Sequence, residues 1–359
     1  MNHLKYLLLG LSLLLVVGNV WTYCQLSKAN TWTDRTFAQN VNNRFELLLT
    51  DRLQPNQLLY LLCGGGQAIF STTCLSSGIL YPPLPTTNCT VALAPAVEAV
   101  RDPSCPHTMY RVGFTYQQQF LEIYRSCYQA STMTAYFSIT KVYPTYLNSD
   151  SPPPTFDRDG LISPADAATF QRSSVFNRFE AILGPHQNYV PTAQTPSFDR
   201  GHLSPAGDHT FPRNLRQTNK YLNVVAQHQN INRSNWKIVE NWVHRLFSEH
   251  QFDVLKVCTG TLDVLELNNI RSQPRQVFLA PNKNPVPKWM YKIVSHLSGY
   301  KVVVLTYNNG WANQSLNPSS VCQMVNCPRS LNPNGNGFTF CCDPAHFISH
   351  NVPKLTGVC

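Results

Sequence analysis

Charge is what this chain has least of: Asp, Glu, Lys and Arg make up only 13% of its 359 residues, while hydrophobic residues make up 43%. Ordinary soluble proteins carry about 25% charged residues, so a sizeable core is within reach here. At about 150 residues per domain, the length fits one large domain with an extension, or two domains. Acid is scarcer than base, 19 residues against 28 Lys and Arg, for a net charge of +9. That excess favours a polyanionic partner such as nucleic acid, a glycosaminoglycan or an anionic surface, although many basic secreted proteins bind none of these. Beyond the N-terminus, no apolar run approaches the roughly 20 residues of a membrane-spanning helix. Gly64-Gly65-Gly66 lacks the Lys-Ser/Thr that would follow in a phosphate-cradling loop. Cys322 and Cys327 lack a second half with histidine at matching spacing, which argues against a zinc site.

What is present begins with a leader. Lys5 gives a positive start and residues 6–17 an apolar run of 12, the pattern of a secretory signal peptide assigned to residues 1–22. Export also accounts for the 12 cysteines, which in an oxidising compartment are disulfides rather than metal ligands. Six fall between Cys24 and Cys127, Cys258 stands alone, and five lie between Cys322 and Cys359. Adjacent Cys341 and Cys342 do not suit each other as partners, because a disulfide needs Cα atoms about 4.4–6.8 Å apart. With the signal removed, no membrane span remains, and the protein is expected to be secreted and extracellular.

Residues 23–105 read as an N-terminal extension of short strands and turns stapled by disulfides, with segments 58–63 and 68–70 flanking the glycines. Asn88-Cys89-Thr90 is a glycosylation sequon in a surface turn. The main domain is assigned to residues 106–359. There, 109–116 and 133–143 are strand-like, and 117–128 places Phe120, Ile123, Tyr124 and Cys127 at helical spacing. A loop rich in Pro, Ser and Asp follows over 146–162. Ser163 caps a helical pattern over 165–183, with Pro164 in its first turn and Asp166 three residues after the cap. Trp236, Val239, Trp242, Val243, Leu246 and Phe247 form the apolar stripe of a second helix capped by Ser234 or Asn235, so both tryptophans belong to the core. Segments 254–267, 289–294 and 301–307 read as strands, with 302–305 fully buried. The fold class is α+β. The tail from Ser319 reads as a disulfide-pinned loop region without chemistry, and His209, His228 and His244 as surface or hydrogen-bonded histidines.

Chemistry concentrates in Phe198-Asp199-Arg200-Gly201-His202-Leu203-Ser204-Pro205. Alone, Asp-Arg-Gly-His is as well explained by a turn with a hydrogen-bonded histidine; Gly201 would let the backbone bend close to a ligand. The downstream context changes that reading. Thirty positions after His202 comes Asn232 at a helix start, where its amide oxygen can face a cation, and Glu240 lies two turns deeper. Cleaving a phosphodiester needs a deprotonated water, relief of charge on the phosphate oxygens and help for the leaving oxygen. His202, with an ordinary pKa of about 6.5, suits the general base. Mg²⁺, with Mn²⁺ as a candidate substitute, takes oxygen ligands and keeps several waters, and Asn232 is its natural direct ligand. The planar fork of Arg200 matches phosphate geometry.

Asp199-Arg200-Gly201-His202, followed by Asn232, Asn235-Trp236 and Glu240, resembles the DNA/RNA non-specific endonuclease family, whose members share a ββα-metal finger, and within it the secreted arthropod nucleases. Those read Arg-Gly-His-Leu-Ser-Pro, then Asn-x-x-Pro-Gln, then Asn-x-x-Asn-Trp with Glu four after the Trp. The chain follows with Arg200 to Pro205, Asn223 to Gln227 and Asn232 to Glu240, and more weakly with Thr259-Gly260-Thr261 and Val286-Pro287-Lys288. Ala226 stands where the family usually has proline, which is expected to loosen a turn ahead of the metal-binding segment. The resemblance implies a finger domain on a mostly antiparallel sheet flanked by helices, Glu240 acting through the metal's waters, and supporting places for Asp199, Asn223, Gln227 and Asn235. It implies an endonuclease that cuts DNA, with RNA as a further candidate, through backbone contacts that carry no sequence information. Arg233 and Lys237 are either backbone contacts or a solvated helix face. The competing reading is a nuclease fold that binds polyanions without cutting; the joint presence of His202, Asn232 and Glu240 favours the enzyme.

Asn232-Arg233-Ser234 is formally a glycosylation sequon, and a glycan there would block the site. Peptide mapping of the secreted protein is expected to find Asn232 bare and Asn313, in the sequon Asn313-Gln314-Ser315, the better acceptor. A glycan on Asn232 would overturn its assignment as a metal ligand.

Overall fold

In the computed structural model, which describes residues 23–31, 33–147, 155–314 and 316–359, the β-branched and aromatic runs pair as strands. The expected signal peptide and the prolines at 152–154 lie outside the described residues. The N-terminal segment contributes β1 (Cys24–Gln25), α1 (Lys28–Thr31), β2 (Thr36–Val41), β3 (Arg44–Leu47), β4 (Arg52–Leu53), β5 (Leu58–Leu62), β6 (Phe70–Cys74), β7 (Leu80–Tyr81) and β8 (Pro95–Val100). There follow β9 (Thr108–Tyr116), β10 (Gln119–Gln129), β11 (Thr134–Val142), α2 (Pro164–Ala168), α3 (Arg172–Leu183), β12 (Phe198–His202), α4 (Pro212–Arg216), β13 (Val224–His228), α5 (Gln229–Asn232) and α6 (Asn235–His250). The chain continues through β14 (Leu255–Val264), four short strands, β15 (Glu266–Asn268), β16 (Pro274–Gln276), β17 (Phe278–Ala280) and β18 (Lys283–Pro285), then β19 (Pro287–Ser295), β20 (Lys301–Tyr307), β21 (Met324–Val325), β22 (Phe338–Cys342) and α7 (Pro344–Asn351).

The expected α+β class holds. One sheet runs β21-β22-β20-β19-β14-β11-β10-β9-β8, and a smaller one runs β3-β2-β5-β6-β7. Every neighbouring pair within them is antiparallel. The large sheet is covered on both faces. On one side, Val175 and Phe179 of α3 and Phe347 of α7 join a core with Tyr291, Ile293, Val303 and Leu305. On the other, Val239, Trp242, Val243 and Leu246 of α6 pack on Leu255, Val257, Val294 and Val304. This two-sided burial is why 302–305 is a continuous apolar run instead of an alternating one. Among the described residues, no helix is long and apolar enough to cross a membrane.

Three expectations fail locally. The tail from Ser319, expected as a loop region, carries β21, β22 and α7. Residues 117–128, expected as helix, form a turn and most of strand β10, and the reason is a break in register between Glu122 and Tyr124. A bulge brings consecutive Ile123 and Tyr124 into the same core as Leu121 and Tyr128, so the apolar spacing imitates a helix. The helical pattern over 165–183 is split into α2 and α3. Ser163 and Asp166 form the expected capping box, but Thr169 Oγ1 donates to the Asp166 carbonyl at 2.7 Å and ends the first turn. Cys341 and Cys342 pair elsewhere, as expected, with Cys327 and Cys322. The lone Cys258 pairs with Cys359, and the early six close on one another as Cys24–Cys74, Cys63–Cys89 and Cys105–Cys127.

Trp242 anchors α6: its ring is fully buried and its Nε1 donates to Ser330 Oγ at 3.1 Å. Trp242→Ala should lower the unfolding free energy by ~3–5 kcal/mol in a denaturant titration. A loss below about 1 kcal/mol, the range of a surface change, would show that α6 is held some other way.

Candidate functional site

β12 and β13 lie antiparallel with Asp199 opposite Gln227, Arg200 opposite Ala226 and His202 opposite Val224. α5 follows β13 directly and hands on to α6, so two strands and a helix start present all the residues singled out above. Gly201 is required for packing: a Cβ there would fall 2.2 Å from Gln227 Oε1. Ala226 lies in regular strand and not in a turn, fully buried, with its carbonyl held by Asn308 Nδ2 at 3.0 Å.

Asp199 organises the helix start. Its carboxylate accepts from Asn232 Nδ2 at 2.9 Å, from Gln229 Nε2 at 3.2 Å, and from Arg233 Nε and an Arg233 Nη at 2.9 and 3.0 Å. Burial alone would raise its pKa, but the hydrogen bonds from Arg233, Asn232 and Gln229 and the guanidinium charge outweigh it and leave it below the ordinary carboxylate value. Because Nδ2 of Asn232 is committed to Asp199, its Oδ1 is the end left over for a cation. Among the described residues, no group of three or more His, Cys, Asp and Glu is arranged to hold a metal. Asn232 Oδ1 is one oxygen donor of the kind a hard cation takes, with water filling its remaining positions.

His202 sits in a second group. Its Nε2 lies 2.9 Å from Asn219 Oδ1; an amide oxygen only accepts, so Nε2 carries the proton and Nδ1 is the basic nitrogen. Burial pushes the imidazole pKa down to about 4; the Asn219 hydrogen bond opposes this, and the charges of Arg200 and Lys237 add to it. The Phe156 ring lies between the two functional side chains, with the Arg200 guanidinium 4.1 Å from its centroid and the His202 ring at 5.5 Å. Arg200, Arg158 and Arg172 line one cleft of about 670 Å³ together with Phe156 and Tyr221.

Glu240 faces a cavity of about 400 Å³ shared with Lys237, Asp208, His209 and His244. Burial raises its carboxyl pKa, the charges of Lys292 and Lys237 pull it back, and Asp208 pushes it up again. Lys237 Nζ lies 3.4 Å from Glu240 and, through its charge, also acts on His202. Arg233 is the partner of Asp199 and Lys237 of Glu240, and both side chains remain largely exposed. Among the described residues, no hydrogen bond joins Asn232 to His202 or Glu240; Asn232 and Glu240 are related through the α5–α6 backbone, and His202 through the pairing of β12 with β13. Asn223, Gln227 and Asn235 are fully buried. Asn223 bonds Ser204 N, Ser204 O and Thr218 O and closes the β12–β13 connection. Asn235 bridges Gly335 N and Gly337 O in the tail, and neither end of the Gln227 amide has a hydrogen-bond partner.

Sequence reasoning missed Asn219, Phe156, Asp208 and Lys292, whereas His244, expected to be a surface or hydrogen-bonded histidine, is hydrogen-bonded. Asp208 and His244 pair at 3.0 Å, and buried Lys292 lies within the field of Asp208 and Glu240. The missed residues come from the loop before α2, from the loop between the paired strands and from a sheet strand, and no short spacing connects them.

A family model described as DNA/RNA non-specific endonuclease matches residues 105–347. A salivary endonuclease of Lutzomyia longipalpis is 27% identical over 266 residues, covering 68% of this chain and 62% of that protein. The mitochondrial endonuclease G of Homo sapiens is 24% identical over 189 residues, covering 52% and 57%. The chain thus spans about three fifths of the length of these curated relatives. A chain in the crystal structure of the EndoG/EndoGI complex aligns at 19% identity and a TM-score of 0.38, over 56% of this chain and 81% of that one.

The depressed pKa of His202 has a sign in stability. Between about 6.5 and 4 the folded imidazole binds fewer protons than the unfolded one, so its stabilising contribution is complete above about 6.5 and is lost as the pH falls towards 4. From pH 7 to pH 5, wild type should lose unfolding free energy more steeply than His202→Gln. Parallel slopes would show that His202 titrates as an ordinary imidazole.

Proposed function

Because the chain belongs to the DNA/RNA non-specific endonuclease family, we propose that it is a secreted, Mg²⁺-dependent endonuclease that hydrolyses phosphodiester bonds of DNA, and of RNA, with little sequence preference. The observation that carries this reading is the state of His202, neutral at physiological pH, with Nε2 tied to Asn219 and Nδ1 free, beside the guanidinium of Arg200. Six disulfides suit an oxidising extracellular compartment, and one relative is named a salivary endonuclease.

In this mechanism, His202 Nδ1 takes a proton from a water. The water oxygen bonds to phosphorus, the ester P–O bond breaks on the opposite side, and the leaving oxygen takes a proton from solvent. Arg200, with Arg158 and Arg172 in the same cleft, holds the backbone phosphates. Such contacts position the strand without reading bases, which is the source of the low sequence preference. Asn232 Oδ1 would hold a Mg²⁺ ion, or Mn²⁺ in its place, which would supply Lewis-acid relief of the charge developing on phosphate. Asp199 engages the Asn232 amide nitrogen and leaves its oxygen as the atom that would meet the cation. Glu240 sits in the adjoining cavity, its carboxyl pKa raised by burial and only partly drawn back by the charges of Lys292 and Lys237. Asn223, Gln227 and Asn235 support the strands and the helix start from within the core.

Plasmid digestion tests the proposal. Purified protein should cut in Mg²⁺ and stop in EDTA, and His202→Ala should lower the rate by ~10²–10⁴-fold, the usual worth of a general base. Intact plasmid in Mg²⁺ with wild-type protein would sink the enzyme, and salt-sensitive retention of DNA without cutting would identify a binder instead.

A further inference from the structure

Three consecutive residues of the N-terminal segment grip one short loop after β11. Thr50 Oγ1 donates to the Pro144 carbonyl at 3.4 Å. Asp51 accepts from Tyr146 N at 2.7 Å, Leu147 N at 2.9 Å and Thr145 Oγ1 at 3.2 Å. The Arg52 guanidinium lies 3.7 Å from the centroid of the Tyr146 ring and 5.7 Å from that of Tyr23. Asp51 is fully buried, whereas Tyr146 is 63% and Tyr23 42% exposed. Desolvating a carboxylate is costly, and here it fixes the backbone beneath a ring that stays in water. A device for core packing would bury the ring and leave the carboxylate outside. Among the described residues, Arg52 makes no ion pair, so its charge is left for something else.

The position of this platform says for what. Tyr23, Arg52 and Tyr146 line a cavity of about 640 Å³ that also contains Thr145 and His244. Thr145 and His244 belong as well to the cavity holding Glu240 and Lys237. Lys237, Glu240, His244, Ser248 and Gln251 recur every three or four residues along α6 and its cap, forming one helix face beneath both cavities. From Glu240 to Ser248 is about 12 Å along the helix axis, so a strand lying across both cavities would extend over more than one nucleotide. Aromatic faces beside a guanidinium are the groups by which single strands are held, the base stacking and the charge meeting phosphate. The acidic residue on the rim, Asp253, is engaged by His296 at 2.9 Å.

We propose that Tyr146, Tyr23 and Arg52 form a substrate subsite that stacks an unpaired nucleobase away from the scissile phosphate. The subsite rests on the nuclease reading for its substrate class; it joins Tyr146, inside the residues matched by the family model, to Tyr23 and Arg52 of the N-terminal segment, outside them. It makes that segment a length and strandedness sensor: a strand long enough to reach the platform and free to unstack a base gains affinity.

The test uses the full chain, a single-stranded 12-mer, a thymidine dinucleotide too short to reach, and a 12-base-pair duplex. Tyr146→Leu and Arg52→Gln should each raise KM for the 12-mer about fivefold or more, the loss falling on KM rather than kcat, while Tyr146→Trp restores it. Wild type should gain affinity from dinucleotide to 12-mer, and Tyr146→Leu should lose most of that gain. A Tyr146→Leu protein with the parent KM on the 12-mer would overturn the subsite, as would an equal loss on dinucleotide and duplex. Anisotropy of the labelled 12-mer on a His202→Ala background separates the two readings. If wild type cuts nothing yet Tyr146→Leu weakens binding, the nuclease reading fails and the subsite stands. If wild type cuts and binding is indifferent to Tyr146, the subsite fails alone.

Discussion

The carboxylate of Asp199 is the joint on which the site turns. It lies on a strand and accepts hydrogen bonds from three side chains, Gln229, Asn232 and Arg233, that occupy a little more than one helical turn. A strand and a helix start that share only a backbone connection could slide relative to each other. Three donors converging on one carboxylate remove that freedom. The same contacts decide which end of the Asn232 amide faces outward, so the mechanical joint and the chemical orientation are one interaction. Its depressed pKa keeps the joint charged wherever the protein works.

The second support comes from far along the chain. Ser234 is the N-cap of α6, but its hydroxyl accepts from Asn336 N at 2.7 Å and does not cap the helix itself. Asn235 grips Gly335 and Gly337 at 2.7 and 2.6 Å. A Cβ on Gly335 would lie 2.1 Å from Ser234 Oγ, so the tail backbone can approach only as glycine. The glycine-rich tail, which reads from sequence as chemically silent, holds the start of the helix that carries Lys237 and Glu240.

How much of this was legible depended on whether the signal was local. The α6 helix was plain because its apolar stripe has one period and one buried face. Strand β10 was not, because a bulge reset its alternation and placed Ile123 and Tyr124 on one side. Arg200, His202, Asn232 and Glu240 could be read because their spacing in two short stretches carries the pattern. Asn219, Phe156 and Lys292 could not, since their importance arises only when the fold brings β12, the loop at 156–159 and β19 together. Loop 156–159 is laid against 219–221 by backbone hydrogen bonds and by buried Lys220, which meets Asp159 at 2.6 Å. Nothing in the composition of either segment announces that pairing.

The neighbouring cysteines 341 and 342 sit on a strand, where successive side chains leave by opposite faces. Cys342 joins the core on one side of the large sheet with Cys322, and Cys341 the core on the other with Cys327. The chain between those partners runs around the rim of β22, with the two-residue strand β21 laid along it. The arrangement is a clasp over an exposed β-edge. An open edge is a template on which a second molecule can add its own strand, and here covalent bonds on both faces close that route. The clasp therefore keeps the two-residue strand β21 seated on β22, and reduction of these two bonds would free it to leave that edge.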